Sequence, residues 1–148
     1  MDNQQALPRG LRNNNPLNIR RSDEVFAGEI THFSSDPDFK QFKTPVMGYR
    51  AAFRILSTYL LVKGLKTVSD VINRWCPDTT AGRYIKAVCK ITGFSSNTIL
   101  NFYNCTQMIT LVEAMSEVEN GKKANIDDVC TAYLLATQPW LTLDDITR

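Results

Sequence analysis

The sequence predicts one α+β domain, mainly α: a helical body preceded by a small β-lobe. Two observations carry this. From Met47 onward, apolar residues recur at helical spacing in segments bounded by a capping residue, Gly or Pro. Before Met47, short apolar and aromatic runs are separated by Gly28, Ser34, Ser35 and Pro37, the punctuation of short strands. No repeat or low-complexity linker divides the 148 residues, so a single domain is expected over 1–148, with 1–12 as a flexible N-terminus.

Residues 1–15 are polar and read as partly extended, with Pro8, Gly10 and Asn13-Asn14-Asn15-Pro16 supplying turn chemistry. Strands are expected near 18–20, 29–33 and 40–42. Over 47–62, Tyr49, Ala52, Phe53, Leu56, Tyr59 and Leu60 share one helical face. Thr67 caps a helix carrying Val68, Val71, Ile72 and Trp75, and Pro77 ends it. Thr79 or Thr80 starts the next, with Tyr84, Ile85, Val88 and Ile91 on one face and Gly93 as its stop. A turn over 96–102 leads to a helix over 106–119 closed by Gly121. Asn125 or Asp127 opens a last helix through Ala136.

Composition excludes several classes. Apolar residues make up 43% and charged residues 22%, the balance of a globular chain. A net charge of +2 without a basic stripe argues against nucleic acid as a partner. The longest apolar stretch, from Ile55 to Val62, is far short of a membrane span, so no membrane insertion is expected. No apolar h-region follows Met1, so synthesis in the cytoplasm without a signal peptide is expected. A target outside the cell would then require delivery by another machine. Cys76, Cys89, Cys105 and Cys130 are dispersed, no CxxC occurs, and His32 is the only histidine. No metal or cofactor is expected, and the thiols read as reduced, buried small hydrophobes within helices. A nucleophilic Cys–His pair using His32 stays open on paper.

Glu119 is the most informative residue. Met108, Val112 and Met115 centre the apolar stripe of their helix, and Glu113 and Glu117 fall on the opposite, solvent side. Glu119 lies within the apolar face, in the last turn before Gly121, where the helix macrodipole is negative. Burial and the dipole both disfavour its charged form and raise its pKa. A carboxyl held protonated near neutrality is what a general acid requires. Fraying at Val118, which would release Glu119 to water, is the competing reading.

The stretch Arg12-Asn13-Asn14-Asn15-Pro16-Leu17-Asn18-Ile19-Arg20 resembles the R-N-N-N-P-x-N-I-R signature of phage and prophage structural proteins with lysozyme-like folds. The likeness continues through Phe26, Gly28, Phe39, Phe42, Thr44, Gly48-Tyr49-Arg50-Ala51, Thr67 to Ile72, and Arg74-Trp75-Cys76-Pro77. It ends at Val118-Glu119-Asn120-Gly121. A second resemblance, to lysozyme-like glucosaminidases and lytic transglycosylases, concerns motif order. There a helix ending in E-S-G precedes an N-N-x-x-x-I motif; here Asn14 to Ile19 supplies the latter and Glu119-Asn120-Gly121 stands at the other end of the chain. The resemblance implies a circular permutation that brings Glu119 against the turn 14–19. It also implies a lysozyme-like helical body acting on peptidoglycan, with Glu119 as catalytic acid.

Further residues follow from the same likeness. Thr80-x-x-x-Tyr84-Ile85-x-x-Val88 is similar to a transglycosylase segment whose tyrosine enters the cleft, although Tyr84 is equally an aromatic on an amphipathic stripe. Asn14, Asn15 and Asn18 are substrate-binding candidates, or simply turn residues before and after proline. Trp75 is a candidate sugar platform or a core tryptophan. Glu24, Glu29, Asp36 and Asp38 read as solvated loop charges or as a second carboxylate, which a transglycosylase does not need; of these Glu29 is favoured for the role because it opens a strand-like run. The implied partners are peptidoglycan, virion or secretion-apparatus proteins, and an immunity protein. The implied site of action is the periplasm or cell wall. The alternative is a lysozyme-like structural or glycan-binding component without activity, since fold does not secure function.

Overall fold

The computed structural model describes residues 7–138, 140 and 142–147. It is mainly helical. The elements are α1 (Arg9–Arg12), α2 (Pro45–Ser57), α3 (Val68–Trp75), α4 (Ala81–Thr92), α5 (Cys105–Asn120), α6 (Ile126–Thr137) and α7 (Leu143–Thr147), with a π-helical turn, Thr58–Val62, extending α2. The caps explain the boundaries. Thr44 accepts from the Met47 amide at 3.3 Å with Pro45 in the first turn of α2. Thr67 and Asp70 form a reciprocal capping box on α3. Asn104 and Asn125 cap α5 and α6, and Gly93 and Gly121 close α4 and α5 in the left-handed conformation.

The body packs α2 against α6 and α4 against α5, with α5 as its central helix. Met108, Leu111, Val112, Ala114 and Met115 of α5 are completely buried, as are Ala51, Ala52, Phe53 and Leu56 of α2. Two hydroxyls tie this core: Tyr49 to Ser116 at 2.9 Å, and Tyr133 donating to the Phe102 carbonyl at 2.7 Å.

The N-terminal expectations need correction. Residues 9–12 are not extended but form α1, packed against α5; Met1 to Ala6 lie outside the described residues. The strands expected near 18–20, 29–33 and 40–42 reduce to isolated antiparallel bridges, Arg20 to Phe39 and Glu29 to Phe42. The second strand cannot run on, because Phe33 takes a positive φ of 62° and is fully exposed. None of the cysteines is buried: Cys105 is exposed, the others are half-exposed, and Cys76 caps the C-terminus of α3 rather than lying within a helix.

In place of a ladder, the lobe is tied by side chains. The Asn15 amide copies a strand partner, donating to the Ile19 and Lys40 carbonyls at 2.9 Å each and accepting from the Ile19 amide at 2.9 Å. Asp36 accepts from Arg9 at 2.6 and 2.7 Å, from Asn13 at 2.9 Å and from two backbone amides. These donors hold its carboxyl far below the usual carboxylate range, the Arg9 guanidinium foremost. Lys40, 2% exposed, donates to the Ser22 and Glu24 carbonyls and to both oxygens of Glu29.

Candidate functional site

The last turn of α5 meets the lobe through two consecutive side chains. Asn120 donates to the Pro16 carbonyl at 2.8 Å and to the Ser116 carbonyl at 2.9 Å, so the turn 14–19 is pinned to the helix end. Close approach of other backbone makes this docking possible. A Cβ on Gly48 would stand 2.1 Å from the Asn14 carbonyl oxygen, so only glycine lets α2 lie against the turn. Asn18 adopts a positive φ of 53°, a conformation asparagine tolerates better than most residues. It donates through Nδ2 to Oε1 of Glu119 at 2.9 Å.

Tyr84 reaches the same carboxyl from α4. Its hydroxyl donates to Oε2 of Glu119 at 2.9 Å and lies 3.4 Å from the Met115 carbonyl. Burial is the largest influence on Glu119 and raises its pKa; the bonds from Asn18 and Tyr84 and the charge of Arg20 pull the other way without reversing it. Burial beside this carboxyl drives the Tyr84 phenol strongly upward, so it stays a neutral donor. The arrangement serves both charge states. With Glu119 ionised, Tyr84 donates to it; with Glu119 protonated, Tyr84 can donate to the Met115 carbonyl and accept the carboxyl proton.

Glu119 opens into a groove of about 390 Å³ lined by Asn18, Arg20, Phe39, Ile55, Tyr59, Arg74, Trp75, Cys76, Asp78 and others. Trp75 is half-buried, held edge-on to Tyr59 at 6.2 Å between ring centres, and donates its indole N–H to the Leu17 carbonyl at 3.3 Å. Arg74 lies over Tyr59 and Arg20 over Phe39, at 5.8 and 5.1 Å from the ring centres. The groove combines an aromatic wall with polar groups fixed along it, the lining of a small-molecule site.

The structure therefore brings Glu119, Asn18, Tyr84 and Trp75 together across a hundred residues of chain. It does not bring the rest. Asn14 donates to the Phe42 and Lys43 carbonyls, and Asn15 is fully buried in the lobe, so both brace backbone away from the groove. Glu29 is not at the groove either. It is bound to Lys40 at 3.0 Å and also accepts from the Phe26 amide, so its lone pairs are committed to the lobe's own fold. Glu113 and Glu117, expected in solvent, are half-buried. Cys76 lies in the groove beside Asp78 and Thr80, and its hydrogen bonds go to them rather than to the exposed His32. Among the described residues, no cluster of three or more His, Cys, Asp or Glu could hold a metal.

Sequence reasoning missed Arg20, Tyr59, Arg74 and Asp78 as groove residues. One signal was available: Asp78 stands two residues before the helix-opening Thr80 and three after Trp75, at the mouth of an element already suspected.

A half-buried carboxyl at a helix end, held by an amide and a phenol beside an aromatic groove, defines a candidate acid site. No protein-family model matches the chain. The chain belongs to the family of Protein P5 of Pseudoalteromonas phage PM2, with 44% identity over 117 residues, covering 76% of this chain and 71% of that protein. That relative is a phage protein.

Proposed function

We propose that the protein cleaves the glycan strands of bacterial peptidoglycan by general acid catalysis at Glu119, in a permuted lysozyme-like arrangement. One observation carries the reading. The Glu119 carboxyl is held above its ordinary pKa by burial, fixed by Asn18 and Tyr84, and set on a groove walled by Trp75 and Tyr59. In this reading the carboxyl gives its proton to the glycosidic oxygen as the bond breaks. The phage kinship fits a lysin carried in a virion, and delivery by a secretion apparatus, with an immunity protein in the producing cell, would serve the same chemistry. No described helix is long and apolar enough to cross a membrane.

The test is digestion of purified peptidoglycan by the wild type and Glu119→Gln, with products resolved by mass spectrometry. The amide matches the carboxyl in shape, so the fold persists while lysis falls by about 10²–10⁴-fold. Anhydro-sugar ends identify a transglycosylase and reducing ends a hydrolase. Intact glycan with bound wild-type protein would instead establish a structural, glycan-holding role.

A further inference from the structure

Glu119 is one carboxyl of the groove and Asp78 is another. The turn between α3 and α4 fixes Asp78 in place. Its Oδ1 accepts from the Thr80 amide at 2.7 Å, from the Thr80 hydroxyl at 2.5 Å and from the Cys76 thiol at 3.5 Å. Its Oδ2 accepts no hydrogen bond among the described residues. The Thr80 bonds, with help from the charge of Arg20, hold Asp78 below the ordinary carboxylate range, whereas burial holds Glu119 above it. Arg20 influences both carboxyls yet forms no ion pair with either among the described residues. Glu29, by contrast, is neutralised by a buried lysine. Two carboxyls line one groove, Glu119 half-buried and Asp78 exposed, and their surroundings favour the protonated form of the first and the ionised form of the second, the pairing that acid and anion roles require.

We propose that Asp78 is the second catalytic carboxylate of this site, an anion facing the positive charge that develops on the sugar's anomeric carbon during cleavage. This rests on the reading of the protein as glycan-cleaving. The step balances without a co-reactant beyond water or the sugar itself. Glu119 gives its proton to the glycosidic oxygen, which leaves with the bonding electron pair. The cationic ring, stabilised by Asp78, is taken by a hydroxyl of water or of the same sugar, and that hydroxyl's proton returns to Glu119.

The experiment is a set of pH–rate profiles on purified peptidoglycan for the full chain, with Asp78→Asn, Thr80→Val and Glu117→Gln as variants. The wild-type profile is expected to be a bell, rising as Asp78 ionises and falling as Glu119 loses its proton. Asp78→Asn keeps the oxygen that accepts from Thr80, so the fold persists. The rate falls by about 10²–10³-fold and the acid limb disappears, while the alkaline limb stays. Thr80→Val removes the hydroxyl bond and moves the acid limb alone to higher pH. Glu117→Gln leaves both limbs unchanged. An active wild type whose acid limb survives Asp78→Asn overturns the role of Asp78 and leaves Glu119 standing. A wild type inactive at every pH overturns the glycan-cleaving reading, and the role of Asp78 falls with it.

Discussion

The lobe over residues 13–43 and the helical body are built by different physics. In the body, α2, α5 and α6 bury continuous apolar stripes, and the hydroxyls of Tyr49, Ser116 and Tyr133 enter that core hydrogen-bonded. In the lobe there is no sheet among the described residues, and amide, carboxylate and ammonium side chains occupy the places where strand partners would be. Apolar burial is tolerant of small shifts because it is non-directional. Hydrogen-bonded side chains hold one geometry only, and a buried polar group left unpaired is penalised. The candidate site lies where the two regimes meet: Glu119 comes from the body and Asn18, which donates to its carboxyl, from the lobe.

The sharpest way to break this comparison is to truncate one residue of each kind. Lys40→Ala leaves Glu29 without its cation and two carbonyls without a donor. The expected loss is about 3–5 kcal/mol, the penalty of breaking a buried pair from one side. Leu56→Ala in α2, at a fully buried position, is expected to lose about 2–5 kcal/mol. The two differ in how they fail. Hydrogen exchange should show Lys40→Ala releasing lobe amides while α5 stays protected, and Leu56→Ala lowering protection throughout. Melting of Lys40→Ala indistinguishable from wild type would show that the lobe does not depend on its polar ties.

A smaller effect is expected where the regions touch. The Oδ1 atoms of Asn18 and Asn120 are buried and accept no hydrogen bond among the described residues, and both point at Gly10 of α1. A Cβ there would stand 2.8 Å from each and 2.9 Å from the Asn15 carbonyl oxygen. Gly10→Ala should therefore cost about 1–3 kcal/mol as overpacking. Under the proposed glycan-cleaving function it should also reduce lysis beyond what its stability predicts, because Asn18 is pushed away from Glu119. Activity equal to wild type in the folded fraction would show that Asn18 does not position the acid.

The same division explains what the sequence disclosed. Helical periodicity and capping chemistry are local, so α2 through α6 were readable nearly to the residue, and the misplaced Glu119 stood out against its own stripe. The helix α1 was not readable, because Arg9 to Arg12 is a single turn set by docking on α5 rather than by periodicity. Asn15 and Lys40 looked like turn and strand residues because their roles arise from partners many positions away. The place of Glu29 in a strand-like run is a local property, and nothing local announces that Lys40 claims it. Asp78 shows the converse. Its place between Trp75 and Thr80 is legible in the chain, but that the α3–α4 turn faces the end of α5 arises only from packing.

The least effect, and the most specific, is expected in the pH dependence of stability. Burial raises the folded-state pKa of Glu119 above its unfolded value. Between those two values the folded protein binds more protons than the unfolded chain, so stability falls as pH rises through that window. Above the window the ionised carboxyl is a standing penalty on the native state; below it the penalty is absent. Glu119→Gln removes the titration while offering a compatible set of bonds: its oxygen can accept from Asn18 and its amide can donate to Tyr84, which can donate to the Met115 carbonyl in turn. Its melting temperature should therefore exceed that of the wild type at alkaline pH, and the gap should close on acidification below the unfolded pKa of a glutamate. The opposite slope, with the variant losing stability relative to wild type as pH rises, would mean that Asn18 and Tyr84 stabilise the anion by more than burial penalises it. Glu119 would then be a fixed structural carboxylate tying lobe to body, and not an acid.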